Sequence, residues 1–396
     1  MEQVKNMKRS LLVMALCAMV LTFLVPAQPV MAQDAPISPQ ERASGAALCL
    51  PDVYLQAPDD CLPLGPSGFL TDMAKKGLTF PLRPLPAVTP ADSYNVVDVN
   101  FARISLPETE LAPVYGSLEE AMAGGEARRY ISGGMLRYIS FTSQVDVEGR
   151  HYVMLKSGEW MRASPAGYTT YQGLQFREGP RNDFGWIVDQ AEVRAAPGYA
   201  APLLAKTLPR EASIQIFDTQ EMDGTQWYMI GLNEWVEHRY ARKVDVRSEA
   251  PEGIDNNRWI DIDLYQQTLT AYEDGKVVFA TLIASGVDPF WTRPGLFKIY
   301  QKKPLETMSG AFEADKSDYY YLEDVPWTMY FDEARAIHGA YWRTMFGYPQ
   351  SHGCVNMSIG DSAWLYEWAR EGDWVYVHDP SGLTPTDPKL YGKGGA

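Results

Sequence analysis

Cys354, His338 and His352 carry the side chains best suited to covalent chemistry. The chain has 396 residues, with only five histidines and four cysteines, at Cys17, Cys49, Cys61 and Cys354. Two of the five histidines stand within sixteen residues of Cys354. A thiol attacks a carbonyl as its thiolate, and its ordinary pKa is about 8.5. A neighbouring imidazole can take that proton and hold an ion pair, provided a third group accepts its other N–H. Gly353 has no Cβ and so permits unusual dihedrals beside the nucleophile. Backbone N–H groups at such a turn can face a tetrahedral oxyanion, and losing one such donor typically costs about 10²–10³ in rate. Two other readings stand at this point. One is a buried structural cysteine with unrelated histidines. The other is a metal site of His352, Cys354 and a distant histidine, which has neither CxxC nor HxxxH spacing and no fourth ligand.

The rest of the chain bears on whether Cys354 is free. Lys5, Lys8 and Arg9 precede an apolar run, Leu11 to Val25, which Pro26 and Pro29 end. With a small residue at Ala32, residues 1–32 read as a signal peptide, and the chain is expected to be exported. The run is short for a membrane span of about 20 residues, so an uncleaved anchor is the lesser alternative. Cleavage would remove Cys17. Cys49 and Cys61 are expected to pair in an oxidising compartment, which leaves Cys354 as the odd, free thiol. The formal charge of −15 becomes about −17 after cleavage, which argues against nucleic acid as a partner. A composition of 46% hydrophobic and 21% charged residues excludes a mostly disordered chain.

Several elements must position these groups. Residues 33–95 hold ten prolines and read as irregular. A repeat follows. Gly149-Arg150-His151-Tyr152 with Glu159-Trp160 is echoed by Gly224-Thr225-Gln226-Trp227 with Glu234-Trp235, at an offset of 75. Short apolar runs between these anchors predict strands and turns, hence two small barrels, 96–180 and 181–250. They resemble bacterial SH3-like modules, either docking wall peptides or acting as spacers. Further on, Ile260 to Leu264 alternates and predicts a half-buried strand. Leu269 to Tyr272 and Val277 to Ile283 predict a hairpin about Asp274-Gly275. A turn at Thr292-Arg293-Pro294-Gly295 and a strand over Val325 to Phe331 follow. Ser358 is the expected N-cap of a helix that ends at Gly372, and Trp374 to Val377 is the last strand. Lys302 to Tyr321 reads as a long polar loop, either a lid or a surface insertion. Trp327 and Trp342 flank the motif and read as core by default, with lining the cleft as the alternative, and residues 381–396 read as a frayed polar tail.

His338-Gly339, a spacer, and Ser351-His352-Gly353-Cys354-Val355-Asn356 closely resemble the signature of the YkuD-type L,D-transpeptidases. The resemblance covers about 255–380. It implies a YkuD-type β-sandwich (251–380) bearing one capped helix, which with the two small SH3-like barrels before it makes a mainly β fold. It also implies roles. Cys354 is the acylated nucleophile and His338 its base, oriented by the Gly339 carbonyl. The Gly353 and Cys354 amides, helped by Tyr330, form the oxyanion hole. Ser351, His352 and Asn356 shape the loop and the substrate cradle. The implied partners are donor and acceptor stem peptides of peptidoglycan, with carbapenems as inhibitors, in the cell wall, periplasm or outside the cell. No metal or organic cofactor is implied. An L,D-carboxypeptidase, a protein-to-peptidoglycan ligase and a silent wall-binding scaffold are the alternatives.

Overall fold

The computed structural model describes residues 73–79, 82–311 and 318–392. The signal segment and the Cys49–Cys61 pairing lie outside the described residues. The chain divides into units Met1–Lys75 and Lys76–Ala396, and the described strands all belong to the second.

Two large sheets carry the site. Their strands are β1 (Ala87–Val88), β2 (Asn100–Arg103), β3 (Leu136–Phe141), β4 (Ser164–Ala166), β5 (Leu174–Phe176), β6 (Arg258–Asp263), β7 (Thr268–Glu273), β8 (Lys276–Leu282), β9 (Gly295–Lys298), β10 (Gln301–Gly310), β11 (Tyr320–Asp332), β12 (Arg335–Gly339), β13 (Val355–Met357) and β14 (Trp374–His378). The first sheet runs β1-β5-β8-β7-β6-β14-β9. The second runs β13-β12-β11-β3-β2-β4, with β10 also paired to β11. Their facing sides share one core. Ile260, Ile262, Leu269 and Phe279 of the first sheet meet Met329, Phe331, Ile337 and Val355 of the second, with Trp364 and Leu365 of the helix Ile359–Trp368.

The repeat recurs in the backbone. In both copies a three-stranded meander turns on a pair of left-handed residues, Glu148-Gly149 and Asp223-Gly224. These pairs supply the positive φ that a two-residue hairpin needs. The next turns match as well, with Gly158 and Asn233 both at positive φ. The second copy belongs to a five-stranded sheet, and the first stands as a separate three-stranded one. A second short helix, Leu118–Ala123, is capped by Ser117.

Four expectations need correction. The strand over 260–264 is buried on both faces, not half-buried. Its even positions enter the shared core, while Trp259 packs with Tyr272, Phe184 and Trp186 in a second cluster on the far face. The polar residues that alternate there, Asp261 and Asp263, are buried beside His378, and Arg247 pairs with Asp261. Lys302 to Tyr321 is not a loop over its first part, because β10 pairs with β11 along a long antiparallel ladder. The capped helix ends at Trp368 rather than Gly372. Its last carbonyls are taken by cationic side chains: Lys302 Nζ donates to Ala369 O at 2.5 Å and Arg258 donates to Trp368 O. The described part of the C-terminal stretch is docked, since Tyr391 is buried and Arg335 lies over its ring.

Candidate active site

Two adjacent strands present the candidate reacting groups. His338 is on β12, and β12 pairs in parallel with β13, so that His338 is opposite Asn356. Cys354 immediately precedes β13. The loop that carries it is braced from both sides. Ser351 Oγ donates to Cys354 O at 2.5 Å and accepts from Gly353 N at 3.1 Å. From behind, Thr292 Oγ1 donates to Gly353 O and accepts from Gly286 N, both at 2.9 Å. Gly353 has φ +117°, in the region that favours glycine, so the residue before the thiol is set by backbone geometry. Gly339 is required for another reason. A Cβ there would lie 2.6 Å from Ser362 Oγ of the helix that packs under β12.

The His338 tautomer follows from its partners. Nδ1 lies 3.1 Å from Gly339 O, and a carbonyl can only accept, so Nδ1 carries the proton. Nε2 then holds the lone pair and accepts from Asn356 Nδ2 at 3.2 Å. The orientation of the Asn356 amide is itself fixed, because Asn356 Oδ1 accepts from Arg343 Nε at 3.3 Å. A chain Arg343–Asn356–His338 therefore sets the imidazole.

Cys354 and His338 are both buried, and burial disfavours their charged forms. It pushes the Cys354 thiol up to about 11, against a smaller pull downward from the Ala336 backbone and Arg335. It pulls His338 down to about 4, against an upward pull from the Gly339 backbone. Near neutral pH the pair is thus a neutral thiol and a neutral imidazole, not the ion pair expected from composition. Cys354 is a free cysteine, with Sγ 3.9 Å from Ala334 O.

Cys354 and His338 open on one cleft of about 370 Å³, together with Arg343, Ser351, His352 and Asn356. Its apolar wall is Leu136, Met308, Tyr320, Leu322 and Trp342. His352 faces the rings of Phe290 and Tyr320, at centroid distances of 4.8 and 5.9 Å.

Of the expected site residues, Cys354, His338, His352, Ser351 and Asn356 converge here, and Gly339 holds the ring. Two expectations change. The Gly353 N–H is committed to Ser351 Oγ and so is not an uncommitted oxyanion donor. Tyr330 packs in the apolar cluster that includes Cys354 but does not line the cleft, whereas Tyr320 does. Of the two tryptophans, Trp342 lines the cleft, the alternative to core packing, and Trp327 packs against Tyr366. Sequence reasoning missed Arg343, Tyr320 and Leu136. Arg343 sits in the spacer, where the motif specifies length rather than residue type. Leu136 lies some 200 residues upstream and arrives because β3 pairs in parallel with β11, placing Leu136 opposite Tyr320.

Residues 257–377 match the YkuD family, described as the L,D-transpeptidase catalytic domain. No curated protein matches the chain. Among solved structures, the chain is similar to a C442S mutant of the Enterococcus faecium L,D-transpeptidase, with 27% identity over 31% of this chain and 50% of that one, at a TM-score of 0.29. It is similar to an L,D-transpeptidase (Yku) from Stackebrandtia nassauensis, with 29% identity over 32% of this chain and 57% of that one, at a TM-score of 0.26. It is also similar to the catalytic domain of the E. faecium enzyme acylated by ertapenem, with 29% identity over 32% of this chain and all of that one, at a TM-score of 0.29. The chain thus spans about half the length of the first of these.

Proposed function

We propose that this chain, which carries an L,D-transpeptidase catalytic domain at residues 257–377, is an exported peptidoglycan L,D-transpeptidase acting through a Cys354 thioester. The observation that carries the reading is a free thiol and an imidazole with its Nε2 lone pair on one cleft, both inside the matched segment. In this reading Sγ attacks the carbonyl of the diamino acid at position three of a tetrapeptide stem. The thiol proton passes to His338 Nε2, the bond to the terminal D-alanine breaks, and that proton leaves on the D-alanine amine. The side-chain amine of a second stem then attacks the thioester. It gives its proton through Nε2 to the departing sulfur and leaves a crosslink between two third residues.

A thioester divides one difficult transfer into two easier ones. Asn356 must yield its hydrogen bond to Nε2 as the thiol proton arrives, so its amide positions the ring and gives way to the incoming proton. With the Gly353 amide committed to Ser351, the Cys354 amide is the remaining expected oxyanion donor. The repeated segments within 96–250 act in this reading as SH3-like modules that hold the catalytic part against the wall.

Incubation with disaccharide-tetrapeptide, followed by mass spectrometry, tests the proposal. A crosslinked dimer with loss of one D-alanine is expected, and Cys354→Ala is expected to form none. Dimer formation by Cys354→Ala at the normal rate would overturn the mechanism.

A further inference from the structure

Among the described residues, the cleft contains a cation, Arg343, to which no carboxylate is bonded. Arg343 lines the cleft with Cys354 and His338, half-buried among Leu136, Tyr320 and Trp342. Its guanidinium makes three hydrogen bonds, all to neutral acceptors: Asn356 Oδ1 at 3.3 Å, Gln350 Oε1 at 3.5 Å, and the Gln350 carbonyl. No carboxylate among the described residues acts on it, and burial alone lowers its pKa, to about 10.

The other buried arginines differ. Arg258 and Arg335 are paired with carboxylates. Arg137 donates to four backbone carbonyls and Arg242 to three, and neither lines this cleft. A guanidinium has five N–H donors. Among the described residues, at least two of the Arg343 N–H groups have no partner, in a mostly apolar cleft where holding an uncompensated charge is costly.

The donor implied by the proposed function supplies a matching anion. In a stem that ends in D-alanine, the terminal carboxylate is attached to the carbon next to the scissile nitrogen. It lies roughly 3–4 Å from the carbonyl that Sγ attacks. A cation sharing the cleft with the nucleophile is within reach of that carboxylate, and the planar guanidinium fork suits it. We propose that Arg343 is the specificity residue that binds the free C-terminal carboxylate of the acyl donor, so that the enzyme selects stems ending in a single D-amino acid. This rests on the transpeptidase reading.

The experiment compares disaccharide-tetrapeptide with a free C-terminal acid against the same donor as its C-terminal carboxamide. The full-length enzyme and its Arg343→Gln and Arg343→Lys variants are each assayed, with kcat and KM determined separately. The wild type is expected to prefer the acid by roughly 10–100-fold in kcat/KM, the range of a charge-assisted contact. The preference is expected to fall towards one in Arg343→Gln and to return in part in Arg343→Lys. Equal use of acid and amide by the wild type overturns the proposal, whether or not the variants fold. So does an unchanged preference in a folded Arg343→Gln. Turnover of neither donor by the wild type, with the thiol still alkylated by iodoacetamide, overturns the transpeptidase reading and this proposal with it.

Discussion

At the residue scale, the site is controlled by what burial does to two side chains. Burial pushes the Cys354 thiol up to about 11 and pulls the His338 imidazole down to about 4, so in the proposed mechanism the two exchange a proton only as substrate arrives. The pH dependence follows from the sign of the histidine shift. In the proposed mechanism neutral His338 accepts the proton, and this form persists from neutral pH down to about 4. Acylation of Cys354 by a carbapenem, timed by intact-mass spectrometry, is therefore expected to hold its rate from pH 7 to pH 5. It should decline only as the pH nears 4. A decline centred near the ordinary histidine value, about 6.5, would show that the ring is solvated and the burial argument wrong. Asn356 is a positioning residue, because it donates to Nε2 and is itself held by Arg343. Asn356→Ala is expected to slow the same acylation about tenfold, while Asn356→Gln does not restore it, since the longer side chain misplaces the amide. His338, Cys354 and the Ser351 brace were legible as letters and spacing. The neutral state of the pair was not, because desolvation depends on the sheets that close over it.

At the element scale, buried polar side chains tie distant segments to the catalytic strands. Arg137 on β3 is 2% exposed and donates to Leu106 O, Pro107 O, Glu110 O and Ser132 O. It also neighbours Leu136, which lines the cleft. Arg137→Met would orphan these carbonyls and is expected to cost about 3 kcal/mol or more in urea unfolding, with Leu136 displaced. Asp361, in the first turn of the capped helix, is fully buried. It accepts from Gly173 N at 2.7 Å and from Thr281 Oγ1 at 2.5 Å. Burial raises its carboxyl to about 7, against about 3.9 when unfolded. A raised folded-state pKa means that stability is fully present below about pH 4 and is lost as the pH rises through about 7. Asp361→Asn keeps an acceptor for Gly173 and removes the titration. Its melting temperature, followed by circular dichroism, is expected to vary less between pH 4 and 7 and to exceed that of the wild type at pH 8. The capping box predicted this helix because Ser358 and Asp361 are local signals. Its C-terminus was misread because Lys302 and Arg258, which take its last carbonyls, come from other parts of the chain.

At the scale of the whole molecule, the catalytic segment does not close its own sheets. β3 pairs with β11, β5 with β8, and Phe184, Trp186 and Val244 cover the far face of the first sheet against Trp259 and Tyr272. A chain of residues 251–396 alone would bare two strand edges and a set of aromatic rings that each bury roughly 150–250 Å². Such a fragment is expected to elute as soluble aggregate in size-exclusion chromatography and to lack a cooperative melting transition, whereas the full chain remains discrete. A discrete fragment that melts cooperatively would show that these contacts are accessory. The sequence by itself marked Cys354, His338 and Ser351 as candidates and wrote the hairpin turns and the repeat, because each lies in residue types a few positions apart and is enforced by local geometry. Only the tertiary structure decided that β6 is buried on both faces, that residues 301–310 form a strand, that Leu136 walls the cleft and that Arg343 stands in it unpaired with any carboxylate among the described residues. Those properties arise from pairing and desolvation between segments far apart in the chain, to which local spacing is blind.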